Sequence, residues 1–107
     1  MSMNVTESSP SGPLVPGSLK GKRALVTGSS RGIGADTASY LAAAGATVVI
    51  NYRNKEARAV KLVSTIETAG GSAIAIGADL TDADARSAMF AEVREKLGGL
   101  DILVMNA

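Results

Sequence analysis

The sequence predicts an α/β fold in which a doubly wound parallel sheet carries helices on both faces. From Leu19 onward, four short β-type runs alternate with three helical runs, and that alternation is the order of a doubly wound sheet. Three of the four strand runs are almost continuously apolar, as expected of strands that are covered on both faces. With right-handed crossovers, the parallel strands take the order 3-2-1-4, which is one half of such a sheet plus the first strand of the other half.

The predicted strands cover residues 23–27, 47–51, 72–77 and 102–106. Between them, helical patterns cover residues 32–44, 55–69 and 83–97, and a glycine follows each helix as a stop signal. Thr81 is the expected N-cap of the last helix, because Asp82 and Asp84 then fall where negative charge suits the helix dipole. Each helix also carries apolar residues spaced for one face, namely Ile33 and Leu41, then Ala59, Val63 and Ile66, then Ala85, Met89, Val93 and Leu97.

Composition limits the class of protein. A chain of 107 residues, 46% of them hydrophobic, makes at most one domain with a real core. Its formal charge of +1 argues against a nucleic-acid or membrane-surface partner. Cysteine and histidine are absent, which excludes a disulfide framework and removes the commonest metal ligand and the commonest general base. No metal site is therefore expected.

The first 18 residues differ from the rest in composition. They are rich in Ser, Pro and Gly, and they lack the basic start and apolar run of a secretion signal. We expect residues 1–18 to be a disordered leader and residues 19–107 to form the ordered domain. No stretch is long and apolar enough to span a bilayer, so we expect a cytoplasmic protein.

A glycine-rich segment, TGSSRGIG, runs from Thr27 to Gly34 directly after the first strand and opens the first helix. A dinucleotide pyrophosphate needs a tight turn, a backbone without Cβ near the phosphates and a helix N-terminus aimed at the charge. Gly28 supplies the turn, Gly32 permits close approach and Gly34 lets the helix pack closely. The N–H groups from Ser30 to Ile33 are expected to face the phosphates.

The alternative is an ordinary βα turn, because a glycine cluster alone is weakly specific. Its position between an apolar strand and an apolar-faced helix, at the start of a βαβ unit, favours phosphate binding. A P-loop is excluded by spacing, since no Gly-Lys-Ser/Thr follows Gly28.

The pattern T-G-x-x-x-G-I-G resembles the first loop of the short-chain dehydrogenase/reductase family. Two further stretches are similar to that family: Asp79-Leu80 matches its acid-plus-aliphatic pair at the adenine ring, and Asn106-Ala107 matches the start of its Asn-Ala-Gly. The resemblance covers residues 19–107. The run VINYR at residues 49–53 resembles bacterial β-ketoacyl-carrier-protein reductases and glucose-dehydrogenase-like members.

The resemblance implies a Rossmann-type fold and an oxidoreductase that moves hydride between nicotinamide and a small-molecule carbonyl or alcohol substrate. It implies a homo-oligomer, either a tetramer or a dimer. The family's catalytic Ser, Tyr and Lys would all lie beyond residue 107, so no catalytic residue is expected in this chain. Tyr40 and Tyr52 both lack the Lys four residues later, and Tyr40 is interpreted as a packing residue.

The end of the second strand predicts the form of the cofactor. An NAD-specific site usually has an acid there for the ribose 2′-hydroxyl, whereas this chain has Asn51, followed by Tyr52 and Arg53. Arg31 in the glycine loop faces the same edge, and a guanidinium binds phosphate through two parallel N–H bonds. NADP(H) is therefore favoured over NAD(H). The alternative is that both arginines are solvated surface residues.

Two other site residues have structural alternatives. Asp79 either anchors adenine or is a plain acid leading into a helix, and Asn106 either bonds backbone near the cofactor or merely ends a strand. For the protein as a whole, the alternative to an enzyme is a non-catalytic NADP(H)-binding module or an inactive truncated fragment. A lyase or epimerase on the same fold is a weaker option, because fold alone does not determine the reaction.

Overall fold

The computed structural model describes residues 17–106, so most of the predicted leader and Ala107 lie outside the described residues. Strands and helices alternate along the whole described chain. They are β1 (Arg23–Val26), α1 (Gly32–Ala43), β2 (Thr47–Tyr52), α2 (Glu56–Thr68), β3 (Ser72–Gly77), α3 (Ala83–Leu97) and β4 (Ile102–Val104). The four strands pair in parallel in the order β3-β2-β1-β4, which confirms the predicted topology.

The core lies in two layers, one on each face of the sheet. Alternate residues of one strand enter different layers: Ala24 and Val26 pack on one side, and Leu25 packs on the other. On the first face, α1 contributes Leu41 among others, together with residues of α2. On the second face, α3 contributes Met89 and Val93. Helices therefore cover both faces, and the apolar runs of β1 and β2 are buried on both sides, as predicted.

The strand ends differ from the predicted ones because a strand lasts only as long as its neighbour can pair with it. β1 ends at Val26 and β4 ends at Val104, where the two are in register, so residues 105–106 continue as irregular backbone rather than strand. β2 continues one residue further than predicted, because Tyr52 pairs with Gly77 of β3.

Two predictions about the helices are wrong. Ile33 does not share the buried face of Leu41: its exposed fraction is 61%, because eight residues at about 100° each leave the two about 80° apart. Thr81 is not the N-cap of α3. Asp82 is, and its carboxylate accepts the N–H bonds of Asp84 at 2.9 Å and Ala85 at 3.5 Å. Both ends of α1 and of α2 lie within one residue of the predicted ends.

None of the helices in the described range is long and apolar enough to cross a membrane. Within residues 17–106 there is also no group of three or more acidic, histidine or cysteine side chains that could hold a metal ion.

Candidate functional site

The predicted site residues meet at one edge of the sheet, where the carboxyl ends of the four strands lie. Gly28 follows β1, Arg53 follows β2, Asp79 follows β3 and Asn106 follows β4. The order of the strands reverses between β1 and β4. In open α/β sheets this point is the usual place for a ligand, because the loops diverge there and leave a crevice.

The first part of the glycine loop is held firmly. Gly28 has a φ of +58°, the left-handed conformation of a tight turn. Its N–H donates to Asn51 Oδ1 at 3.0 Å, and its carbonyl accepts from Asn106 Nδ2 at 3.2 Å. A Cβ added to Gly34 would lie 2.5 Å from the Gly28 carbonyl oxygen. The first turn of α1 can approach the loop this closely only because residue 34 is glycine.

Ser29 is a residue of this loop that the sequence did not single out. It is fully buried, and its hydroxyl donates to the Val26 carbonyl at 2.6 Å and accepts from the Asn51 N–H at 3.0 Å. Its own N–H donates to the Asn51 carbonyl at 3.0 Å. Ser29 thus joins the end of β1 to the end of β2. The only signal in the sequence is a small hydroxyl residue directly after Gly28, which is too common to identify such a role.

Asn51 lies where the sequence predicted the end of the second strand, but its side chain does not reach the surface. Its exposed fraction is only 2%. The carboxamide points back under the glycine loop, with Oδ1 on Gly28 and Nδ2 3.4 Å from the Ile76 carbonyl oxygen. The last residue of β2 is Tyr52, and successive strand residues face opposite sides. Tyr52 is half-buried, and Arg53, which lies beyond the end of the strand, is exposed, so these two side chains reach solvent here.

The second part of the loop faces outward. Ser30 is half-buried, and Arg31, Gly32 and Ile33 are exposed. Arg31 is the N-cap of α1 but makes no side-chain cap hydrogen bond, and the first turn carries no acidic residue. The first N–H groups of a helix have no partner inside the helix and carry partial positive charge. By contrast, α2 and α3 both have an acidic residue in the first turn.

Arg53 and Asp79 face each other across the ends of β2 and β3. Arg53 Nη2 lies 3.5 Å from Asp79 Oδ2, and both side chains are substantially exposed. The other oxygen of Asp79 accepts from the Thr81 hydroxyl at 2.7 Å and from the Thr81 N–H at 3.0 Å. The pKa of the Asp79 carboxyl is lowered, first by these bonds from Thr81 and to a smaller extent by the charge of Arg53. Leu80 is half-buried and packs against the core layer under α3.

Tyr52 covers the end of β3. A Cβ added to Gly77 would lie 2.8 Å from two ring carbons of Tyr52, so the ring fits there because residue 77 is glycine. The Tyr52 hydroxyl donates to Glu56 Oε2 at 3.1 Å. Its pKa is raised, first by partial burial and then by the Glu56 carboxylate. This bond ties the first carboxylate after β2 to the tyrosine.

Asn106 connects the end of β4 to the glycine loop. Its N–H donates to the buried Thr27 hydroxyl at 2.9 Å, while its side chain reaches Gly28. Thr27 in turn donates to the Val104 carbonyl at 3.4 Å. The ends of β1 and β4 are therefore joined by polar side chains where their main-chain pairing stops. Ala107, the other predicted residue of this stretch, lies outside the described residues.

Known proteins are similar to this chain in sequence and in fold. A family model described as short chain dehydrogenase matches residues 22–107. A short chain dehydrogenase, claC, from Passalora fulva is 45% identical over 96 residues, which are 90% of this chain and 36% of the relative. The chain thus spans about a third of the length of that relative.

Solved structures of dehydrogenases are similar to this chain in fold and in sequence. A dehydrogenase/reductase from Sinorhizobium meliloti 1021 superposes with a TM-score of 0.82 and 56% identity, over 84% of this chain and 36% of that one. A short chain dehydrogenase from Burkholderia cenocepacia J2315, in complex with NADP, has a TM-score of 0.80 and 54% identity, over 84% of this chain and 37% of that one.

Proposed function

The chain belongs to the short chain dehydrogenase family, and from this we propose that it forms the NADP(H)-binding half of a dehydrogenase/reductase. The whole protein would transfer hydride between the nicotinamide and a carbonyl or alcohol carbon of a small molecule. Relatives named as dehydrogenases or reductases support the reaction class, and the similar Burkholderia cenocepacia structure in complex with NADP supports the cofactor.

One observation carries the proposal: the uncapped N-terminus of α1 lies beside the exposed part of the glycine loop. With no side-chain cap and no acid in the first turn, its N–H groups suit an anion that a ligand brings. Gly32 has a φ of +64°, and a Cβ added there would meet no atom within 4 Å, so open space lies over the backbone. We assign the pyrophosphate to residues 30–33 and the support of the loop to Gly28 and Gly34.

We assign the adenosine part of the cofactor to the residues that follow β2 and β3. We assign the 2′-phosphate to Arg53 and Arg31, because no acidic residue stands at the end of β2 and the first one after it, Glu56, lies in α2 and accepts a hydrogen bond from Tyr52. Among residues 17–106, the one ion pair of Arg53 is the 3.5 Å contact with Asp79, and its side chain is 69% exposed. Exposed ion pairs contribute little, so the guanidinium can turn to a phosphate. Asp79 and Leu80 then border the adenine ring, and Asn106 borders the nicotinamide side.

When bound, the nicotinamide supplies or accepts the hydride. The residues of this chain hold it: the loop positions the pyrophosphate, and β4 brings Asn106 to the same edge. Since the chain spans about a third of its relatives' length, we place the acid/base Tyr, its Lys and the Ser implied by the family resemblance outside these residues.

Arg53→Ala tests the cofactor assignment in the protein that contains this chain. Loss of a charged hydrogen bond to phosphate should raise the Kd for NADPH about 10-fold or more and leave the Kd for NADH within about 2-fold. Titration of nucleotide fluorescence measures both. Arg94→Ala removes an exposed arginine from the last turn of α3 and serves as the control, with no change expected in either Kd. Equal weakening of NADPH and NADH by Arg53→Ala would contradict the assignment.

A further inference from the structure

Asn51 is one of four buried polar side chains in the described residues, with Thr27, Ser29 and Thr37. We infer that Asn51 is a positioning residue: its carboxamide fixes the glycine loop for any dinucleotide and bars a carboxylate from position 51. The inference rests on the proposed function, because it assumes that the loop holds a pyrophosphate. In this role Asn51 supports the loop from beneath and does not contact the ribose at the surface.

The acceptor half of the carboxamide holds the turn. Oδ1 accepts the Gly28 N–H at 3.0 Å, and the main chain of Asn51 exchanges two further bonds with Ser29, both 3.0 Å long. Gly28 and Ser29 directly precede the exposed residues 30–33. Movement of the turn therefore moves the N–H groups assigned to the pyrophosphate.

The amide nitrogen of Asn51, which can only donate hydrogen bonds, is surrounded by acceptor atoms. Nδ2 lies 3.4 Å from the Ile76 carbonyl oxygen, and 3.5 Å from the Ala78 carbonyl oxygen, the Tyr52 carbonyl oxygen and Met89 Sδ. An N–H group suits this cage, whereas an ionised carboxylate would lose its hydration and meet these acceptors at close range. The buried position also keeps any side chain at 51 away from a ribose at the surface.

Two expected effects on cofactor binding distinguish the role of Asn51 from that of Arg53. First, NADPH and NADH share the pyrophosphate, so a disturbed loop weakens both equally. Second, an acid at position 51 does not select NADH, although an acid at the end of the second strand usually does. In this fold the last residue of β2 is Tyr52, and an acid there would face the surface.

The test uses the full protein and three probes: NADPH, NADH and adenosine 2′-monophosphate, which lacks a pyrophosphate. Asn51→Ala should raise the Kd values of NADPH and NADH by a similar factor of about 10, and leave that of adenosine 2′-monophosphate within about 2-fold. Asn51→Asp should not improve NADH relative to NADPH. Tyr52→Asp, the matched variant one residue on, should move the preference toward NADH.

Three results would overturn the inference: unchanged dinucleotide binding by Asn51→Ala, equal loss of all three probes, or NADH preference in Asn51→Asp. If Asn51→Ala does not fold, Ser29→Ala replaces it. That variant removes the hydroxyl that accepts from the Asn51 N–H, and the same pattern is expected at about 3-fold. Unchanged dinucleotide binding by Ser29→Ala would then count against the inference. Wild-type protein that binds neither dinucleotide refutes the proposed function instead.

Discussion

Gly34 is the residue at which the glycine loop tolerates least change. A methyl group there would lie 2.5 Å from the Gly28 carbonyl oxygen, 2.7 Å from Asn106 Nδ2 and 2.9 Å from Ser29 Cα. Two of these three atoms belong to backbone, which cannot swing aside as a long side chain does. The close approach of α1 to the loop therefore depends on the absence of one carbon atom.

Gly34→Ala should destabilise the protein although alanine is the better helix former. Alanine gains about 1 kcal/mol in a helix interior, but overpacking against fixed atoms costs typically about 1–3 kcal/mol. We expect a lower free energy of unfolding and a dinucleotide Kd raised at least about 10-fold, since displacement by 1 Å is enough to disturb a site. Urea denaturation and a nucleotide titration measure the two effects.

Ala43→Gly is the control for that variant, because Ala43 is exposed on the same helix. Because Ala43 is the last residue of α1, the change should lower stability by at most about 1 kcal/mol through helix propensity alone, with no change in nucleotide affinity. A Gly34→Ala protein that is more stable than wild type and binds normally would show that the loop can move away.

At the level of elements, β1 and β4 are clamped at the end opposite the site. Asp101 Oδ2 accepts both the Arg23 main-chain N–H and Nε at 2.9 Å, and Asp101 N–H donates to the Arg23 carbonyl at 2.9 Å. The pKa of Asp101 is lowered to about 2, first by the hydrogen bond from the Arg23 side chain and then by that from its backbone. The guanidinium lies over Gly99, where a Cβ would stand 2.7 Å from Nη1.

The clamp predicts a pH dependence. A carboxyl whose pKa is lowered by folding adds stability above its unfolded pKa of about 3.9. That contribution is lost as the pH falls from about 4 to about 2. The stability difference between wild type and Asp101→Asn should therefore shrink across this range, as measured by urea denaturation from pH 2 to pH 7. For Ser64→Ala, an exposed control on α2 that removes no titratable group, the difference should stay flat. A constant difference for Asp101→Asn would contradict the clamp.

On the scale of the whole molecule, one edge of the sheet is formed by β4, which pairs only with β1 among the described residues. Large apolar side chains are exposed near it: Leu103 at 41% and Met105 at 54%. Unpaired strand edges and apolar patches promote association. The chain spans only about a third of the length of its relative, and we propose that further strands of the whole protein cover this edge.

A polypeptide of residues 1–107 alone should consequently self-associate. Sedimentation velocity at rising protein concentration should give a growing mean mass. Leu103→Lys should reduce the growth, because a charge on an edge strand opposes strand pairing. Val60→Lys, on an equally accessible apolar residue of α2, should leave it unchanged. A monodisperse monomer with a cooperative melt would refute this expectation.

Much of the molecule follows from local patterns in the sequence. The element order, the strand order 3-2-1-4 and the position of the glycine loop were all predictable, because hydrophobic periodicity and glycine spacing act within a few residues. The tight turn at Gly28 belongs to the same class. Even the family resemblance rests on short stretches at strand ends.

Only the tertiary structure decided which side chains of these stretches face solvent. Tyr52 ends β2 because Gly77 of the neighbouring strand is there to pair with it. The packing of β2 in the sheet places the Asn51 side chain beneath Gly28, whereas Arg53, just beyond the strand, lies beside Asp79. The brace by Ser29 likewise depends on Asn51, which is 22 residues away in sequence. Local patterns specify where strands and helices form, whereas contacts distant in sequence determine where they end and what their last residues touch.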